Sequence, residues 1–173
     1  MFKTLLSASA LSLALLSGAA SAATVTVESA ANSTGGGSGK STGLFLTIGQ
    51  MFSVTASTAD TWSLGSNDPG CTRESNADGL TACFGNYTQG NLSALYGTLV
   101  GQIAGGDFFV IGSTFLGAAS AAGELLLFNF DSNQGDNSGE IAVTVSSVPL
   151  PAGGLLLLGA LGGIAALRRR KTA

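Results

Sequence analysis

The sequence predicts an all-β fold, an antiparallel sandwich or barrel, on three observations. About eight short apolar runs recur between residues 24 and 146, each bounded by Gly, Asn, Asp or Ser, the spacing of strands in such folds. No part of that region sustains a helical period of apolar residues. Residues 141–145 (Ile-Ala-Val-Thr-Val) alternate with period two, so one face of that strand is buried. A middle region of about 125 residues is enough for one two-layer core.

The elements follow in order. Residues 24–27 (Thr-Val-Thr-Val) read as a first strand. Residues 32–42 form a Gly/Ser/Thr loop that outwardly matches part of a phosphate-binding P-loop. That motif needs a glycine five residues before Gly39, where Thr34 stands, and a helix after it, so a nucleotide-hydrolysing reading is rejected. Residues 44–48 and 51–56, around Gly49-Gln50, read as a hairpin, and residues 61–64 as a short strand. Residues 65–94 are mostly turn formers around Cys71 and Cys83; so long an irregular stretch is usually functional or stapled. Strands over 95–103, 108–112, 123–130 and 139–146 complete the pattern.

Residues 1–22 have the three parts of a secretory signal: Lys3, an apolar core over residues 5–16, and Ala20-Ser21-Ala22 as the cleavage site before Ala23. Export makes a Cys71–Cys83 disulfide the expected state, closing a loop of about a dozen residues. A thiol nucleophile is disfavoured, because the chain has no histidine to serve as its base. The same lack removes zinc–imidazole sites.

Between Glu28 and Glu140 lie all ten acids and only two bases, Lys40 and Arg73, a net charge of −8. Such a surface repels nucleic acid and suits cations. The acids concentrate meaning at one place, residues 131–139 (Asp-Ser-Asn-Gln-Gly-Asp-Asn-Ser-Gly), a polar loop between two strands. Side-chain and backbone oxygens at this density hold hard cations such as calcium, although Asn, Asp and Gly are also what a plain turn requires.

At the other end, Val148-Pro149-Leu150-Pro151-Ala152 precedes an apolar run over residues 153–167 and the cluster Arg168-Arg169-Arg170-Lys171. As a helix the run is about 22 Å long at ~1.5 Å per residue, and it spans a membrane only when counted from Val148. The basic cluster would stay on the cytoplasmic side. This arrangement closely resembles the VPLPA-type subclass of PEP-CTERM sorting signals. The resemblance implies a Gram-negative bacterium, an exosortase-type membrane protease as partner, transient or permanent anchoring in the inner membrane, and a product at the cell surface or in an exopolysaccharide matrix. The expected division is therefore a signal peptide at 1–22, a β-sandwich domain at 23–147 and a sorting segment at 148–173.

Three stretches of the middle, in order, resemble the calcium-dependent galactophilic PA-I type lectin family. They are Trp62-Ser63-Leu64-Gly65, then residues 73–80 (Arg-Glu-Ser-Asn-Ala-Asp-Gly-Leu) with residues 97–103, and finally the loop ending Asp136-Asn137-Ser138-Gly139. The resemblance implies a jelly-roll β-sandwich of galactose-binding type. It also implies a calcium ion held by the Leu64 carbonyl, by side-chain oxygens of Asp131, Asp136 and Asn137, and by a backbone oxygen near Gln134 or Gly135. By the same positions Ser75, Asp78, Asp131 and Asp136 would contact the sugar. The chain departs from the family in three ways: the segment between Asp131 and Asp136 is shorter by about two residues, Asp136 replaces an Asn, and Ser75 and Asp78 replace the His and Gln that contact the sugar's hydroxymethyl group. Trp62 reads as a core anchor.

The expectation is thus a non-enzymatic, exported lectin-like protein binding glycan or exopolysaccharide through calcium. The alternative is a structural matrix or adhesin component in which the loop is a turn or calcium only stiffens the fold. A two-carboxylate glycosidase is disfavoured, since nothing in the sequence marks an acid of raised pKa or a nucleophile elbow.

Overall fold

The computed structural model describes residues 21–81 and 83–149, and the alternation of side chains decides how its strands are placed. They are β1 (Ala22–Glu28), β2 (Lys40–Leu46), β3 (Met51–Ala56), β4 (Trp62–Ser63), β5 (Glu74–Ser75), β6 (Asn86–Gln89), β7 (Leu92–Leu95), β8 (Thr98–Ile103), β9 (Phe108–Val110), β10 (Thr114–Ala118), β11 (Gly123–Phe130) and β12 (Ser138–Ser147). One sheet runs β10-β3-β12-β4-β5, with β1 also paired to β12; a second runs β2-β11-β8-β9; β6 and β7 form a separate hairpin. Every pairing between these strands is antiparallel.

The main core takes Val27, Phe52, Val54, Ile141, Val143 and Val145 from the first sheet and Leu99, Leu125 and Leu127 from the second. The odd-numbered positions of β12 are those the period-two pattern predicts. A smaller core of Ala94, Val100, Phe128 and Phe130 packs with Tyr87 and Leu92 of the β6–β7 hairpin. Strand β11 is therefore buried on both faces, which is why Leu-Leu-Leu-Phe-Asn-Phe reads as a continuous apolar run.

Three local expectations are corrected. Residues 44–56 do not make a hairpin: β2 pairs with β11, while β3 pairs with β12 and β10. The Thr47–Gln50 turn, closed by the Gln50 amide on the Thr47 carbonyl at 2.9 Å, instead carries the chain from one sheet to the other. Leu46 and Phe52 can then face one core from opposite layers. The run 95–103 breaks at Gly97, whose φ of +77° ends β7 and begins β8. Residues 65–94 also hold more order than expected, because Gly90-Asn91 closes the β6–β7 hairpin as a two-residue loop.

Trp62 fixes the junction of β4 with the rest. It is fully buried and its indole Nε1 donates to the Gly97 carbonyl at 3.0 Å. Cys71 and Cys83 are joined in a disulfide, with Cα atoms 5.3 Å apart. Of the expected signal, 1–22, residues 1–20 lie outside the described residues, as does the tail from Leu150, while Ala22 opens β1. Within them, Val148 still donates its amide to the Met51 carbonyl at 2.9 Å.

Trp62→Phe removes the donor and leaves the Gly97 carbonyl unpaired. Equilibrium denaturation should show a loss of about 1–3 kcal/mol, and Trp62→Ala a loss of about 3–5 kcal/mol.

Candidate functional site

The polar loop after β11 does not close a hairpin, since β11 and β12 belong to different sheets. It crosses the end of the sandwich, so its shape must be imposed by contacts outside the strands. The Gly/Ser/Thr segment after β1 imposes it. Thr34 Oγ1 donates to the Asp131 carbonyl at 2.9 Å and accepts the Asp131 amide at 3.1 Å. Gly35 lies flat against the Ser132–Asn133 peptide, where any side chain would overlap backbone. Within the loop, Asn133 Oδ1 accepts the Gly135 amide at 3.0 Å and caps a single 3-10 turn, Gln134–Asp136. The role of residues 33–37 was not legible in the sequence, where they read only as part of a Gly/Ser/Thr loop with an incomplete match to a P-loop.

Beneath the loop is a buried polar chain. Asn129 Nδ2 donates to Ser29 Oγ at 2.7 Å, and Asn137 Nδ2 donates to the Ser29 carbonyl at 3.3 Å. The Asn137 side chain also lies near enough to the Asp131 carboxyl to favour its charged form. Its amide oxygen is left over: Asn137 is 9 % exposed, and among the described residues Oδ1 has no partner.

Above the loop is a cleft of about 190 Å³. Asp131, Asn133 and Asp136 form its acidic side, Leu64 and Arg73 face them, and Phe84 and Tyr96 supply the apolar wall. Leu64 directs its side chain into the core against Gly97, which leaves its backbone as the part able to meet a polar ligand. The disulfide sets the aromatic wall, because Phe84 follows Cys83 and Arg73 lies two residues past Cys71. The Arg73 guanidinium sits over the Phe84 ring at 5.2 Å. Tyr96 packs between Phe84 and Tyr87 at ring-centroid distances of 5.3 and 5.1 Å.

Electrostatically the acidic side is unbalanced. Asp131 is 5 % exposed, and this burial pushes its carboxyl pKa up, with nearby Asp136 adding to the rise; the Asn137 side chain and hydrogen bonds from the loop amides oppose it. Tyr87 is pushed up as well, by burial first, then by Tyr96 and Asp131. Neither Asp131 nor Asp136 has a basic group in ion-pair contact among the described residues, where the single ion pair joins Arg73 to Asp68.

The residues expected at the site separate into two groups. Leu64, Asp131 and Asp136 converge on the cleft, with Asn137 directly behind Asp131. Gln134 is exposed in the 3-10 turn; its carbonyl accepts the Asn137 amide at 3.4 Å and its side chain lies over Gly36. Ser75 and Asp78 do not line the cleft. Ser75 is buried against Gly97 and bonds the Asn76 carbonyl at 2.9 Å. Asp78 Oδ1 accepts the Ser113 amide at 2.6 Å and so closes the turn before β10. Arg73, Asn133 and the two aromatics take the places those two were expected to fill.

No three His, Cys, Asp or Glu side chains come together among the described residues, so any ion here would rely on amide and carbonyl oxygens besides the two carboxylates. Calcium accepts such a mixed set of 6–8 oxygens, and the orphaned Asn137 Oδ1 fits it.

No protein-family model matches the chain, and no curated protein does. Among solved structures, the N-terminal domain of EclA, described as a PllA-like lectin, is similar over 72 % of this chain and 95 % of its own, at 21 % identity and a TM-score of 0.51. That likeness shows that this chain shares the all-β fold of that domain.

A carboxyl whose pKa is raised on folding favours the fold at acid pH, and that contribution disappears as pH rises through the folded pKa. In chelator, Asp131→Asn should therefore raise the melting temperature at neutral pH, by about 2–4 °C for ~1 kcal/mol. The gain should shrink when the scan is repeated at acid pH.

Proposed function

We propose that the cleft binds carbohydrate through a calcium ion held by Asp131, Asp136 and Asn137 side chains with backbone oxygens of Leu64 and Gln134. The observation that carries this reading is the pairing of a buried, unpartnered amide oxygen on Asn137 with a buried Asp131 carboxyl that has no counter-cation. Each costs free energy as it stands, and a hard cation beside both would recover it. The lectin-like fold is the second support.

The chain's own residues divide the work. Asp131 and Asp136 supply the charge, and Thr34 fixes Asp131 through its backbone so that the carboxyl need not reorganise. Asn137 is tethered through its Nδ2 to the Ser29 carbonyl, which leaves its Oδ1 without a protein partner among the described residues. When bound, calcium supplies a Lewis-acidic point on which paired sugar hydroxyls replace water. Phe84 and Tyr96 line the cleft and supply its apolar surface, against which the C–H groups of a sugar ring would pack.

The wider setting belongs to the same reading. Residues 1–22 direct export and residues 148–173, with the Val148–Ala152 motif, direct sorting by an exosortase-type protease, leaving residues 23–147 at the surface of a Gram-negative cell or in its exopolysaccharide matrix. This follows from the sequence motifs alone.

Calcium should raise the melting temperature of the protein and Asp131→Ala should abolish that rise. Retention on a glycan array should depend on calcium and vanish with chelator. A calcium-raised melting temperature with no glycan retained would favour a purely stiffening role and the matrix or adhesin alternative.

A further inference from the structure

We infer that the cleft selects a carboxylated sugar, a hexuronate-type residue, over its neutral counterpart, and that Arg73 makes the distinction. This rests on the calcium-dependent reading above and deepens it.

Residues 21–149 contain two basic side chains, Lys40 and Arg73, and one of them lines the cleft. Its place is built. The Arg73 carbonyl accepts the Leu64 amide at 2.9 Å, its own amide donates to Asn67 Oδ1 at 2.6 Å, and its guanidinium rests on Phe84. The Cys71–Cys83 disulfide holds that wall together. Nη1 and Asp136 Oδ2 approach Gly65 from the same side, at 3.1 and 3.0 Å from the point a Cβ would occupy. The arginine thus stands across the mouth from the acidic loop without forming an ion pair with it.

Its donors are not used up. Nη2 pairs with Asp68, an exposed carboxylate of the kind that water and salt screen. Nε is buried and has no acceptor among the described residues. A guanidinium carries five N–H donors in a planar fork, and a planar carboxylate is the ligand group that matches it.

Charge gives the preference its condition. Asp131 and Asp136 cancel a divalent cation, so with calcium in place the cleft no longer repels an anion, and a ligand carboxylate can compete with the exposed Asp68 for the Arg73 fork. A neutral sugar has no group that makes this exchange, whereas a carboxylate does. Without calcium the same cleft is net negative, within a region of net charge −8, and an anion is repelled. Selection of an acidic sugar is therefore switched on by the ion.

The test is calorimetric titration of the full chain, in calcium and in chelator, with methyl galacturonide and methyl glucuronide against methyl galactoside and methyl glucoside. Each pair differs by a carboxylate in place of a hydroxymethyl group. In calcium, the uronides should bind about tenfold or more tightly, the scale of one charge-assisted contact, and the advantage should shrink as salt is raised. Arg73→Gln should erase the advantage, Arg73→Lys should retain part of it, and Arg73→Gln should tighten calcium uptake without sugar several-fold by removing a like charge. Retained calcium uptake in the variants confirms that they are folded. Equal binding of uronide and parent glycoside, unchanged by Arg73→Gln, overturns the inference while leaving a calcium-dependent lectin standing. Tighter binding of a 6-O-sulfated galactoside than of either uronide overturns the assignment of a carboxylate. Absence of both calcium uptake and glycoside binding overturns the underlying reading and this one with it.

Discussion

The polar chain Ser29–Asn129–Asn137 is the constraint on which the end of the sandwich depends. Ser29 follows β1, Asn129 lies in β11 and Asn137 precedes β12, so the end of the β1–β12 ladder is tied to β11 of the other sheet through one serine. The backbone repeats the tie. The Ser29 amide donates to Gly139, the Asn129 amide to Asn32, and the Thr34 amide to Asn129, each at 2.9 Å. In a buried setting these groups must bond to one another or bear their full desolvation cost, so few geometries remain to the acid loop. Shape here comes from satisfying polar groups, whereas along β12 it comes from hiding Ile141, Val143 and Val145.

The same network is incomplete at two atoms. Asn129 Oδ1 and Asn137 Oδ1 are both buried and unpartnered among the described residues. The second belongs to a side chain that neighbours Asp131, a carboxyl that lines the cleft. Sequences agree with their folds at most positions and depart from local rules where function requires it. A buried Asp, a neighbouring Asp and an orphaned amide within one short loop are three departures in one place.

The fold was legible in the sequence wherever a single rule acted. Alternation marked β12, and turn formers bounded β3, β9 and β11. It was misread where two layers compete for the same apolar run. Residues 44–48 and 51–56 have the pattern of a hairpin, and only the partners β11 and β12, distant in sequence, place them in separate sheets. The site was half legible for a related reason. Asp131, Asp136 and Asn137 are close in sequence and their chemistry is explicit. Thr34, Gly35 and Ser29 are about a hundred residues away, and a Gly/Ser/Thr string has no local signal for docking under a loop. Ser75 and Asp78 were named by position in a resemblance, but β5 pairs with Trp62 in a register that turns Ser75 inward, and Asp78 is spent on the Ser113 amide.

The two sides of the cleft are held by different means, and this separates what each can change. The acidic side hangs from the sheets through Ser29, Thr34 and Asn129, where a substitution disturbs buried hydrogen bonds and the core behind them. The facing side, Arg73 and Phe84, belongs to an irregular segment that is joined to the sandwich by the short β4–β5 ladder and the Leu64–Arg73 hydrogen bond and is closed on itself by a disulfide. A covalent staple tolerates exchange of the side chains around it better than close packing does, because it constrains the chain without depending on their shape. Residues that would hold an ion are therefore fixed by the architecture of the fold, while residues that would choose a ligand stand on a segment free to vary without loss of the fold.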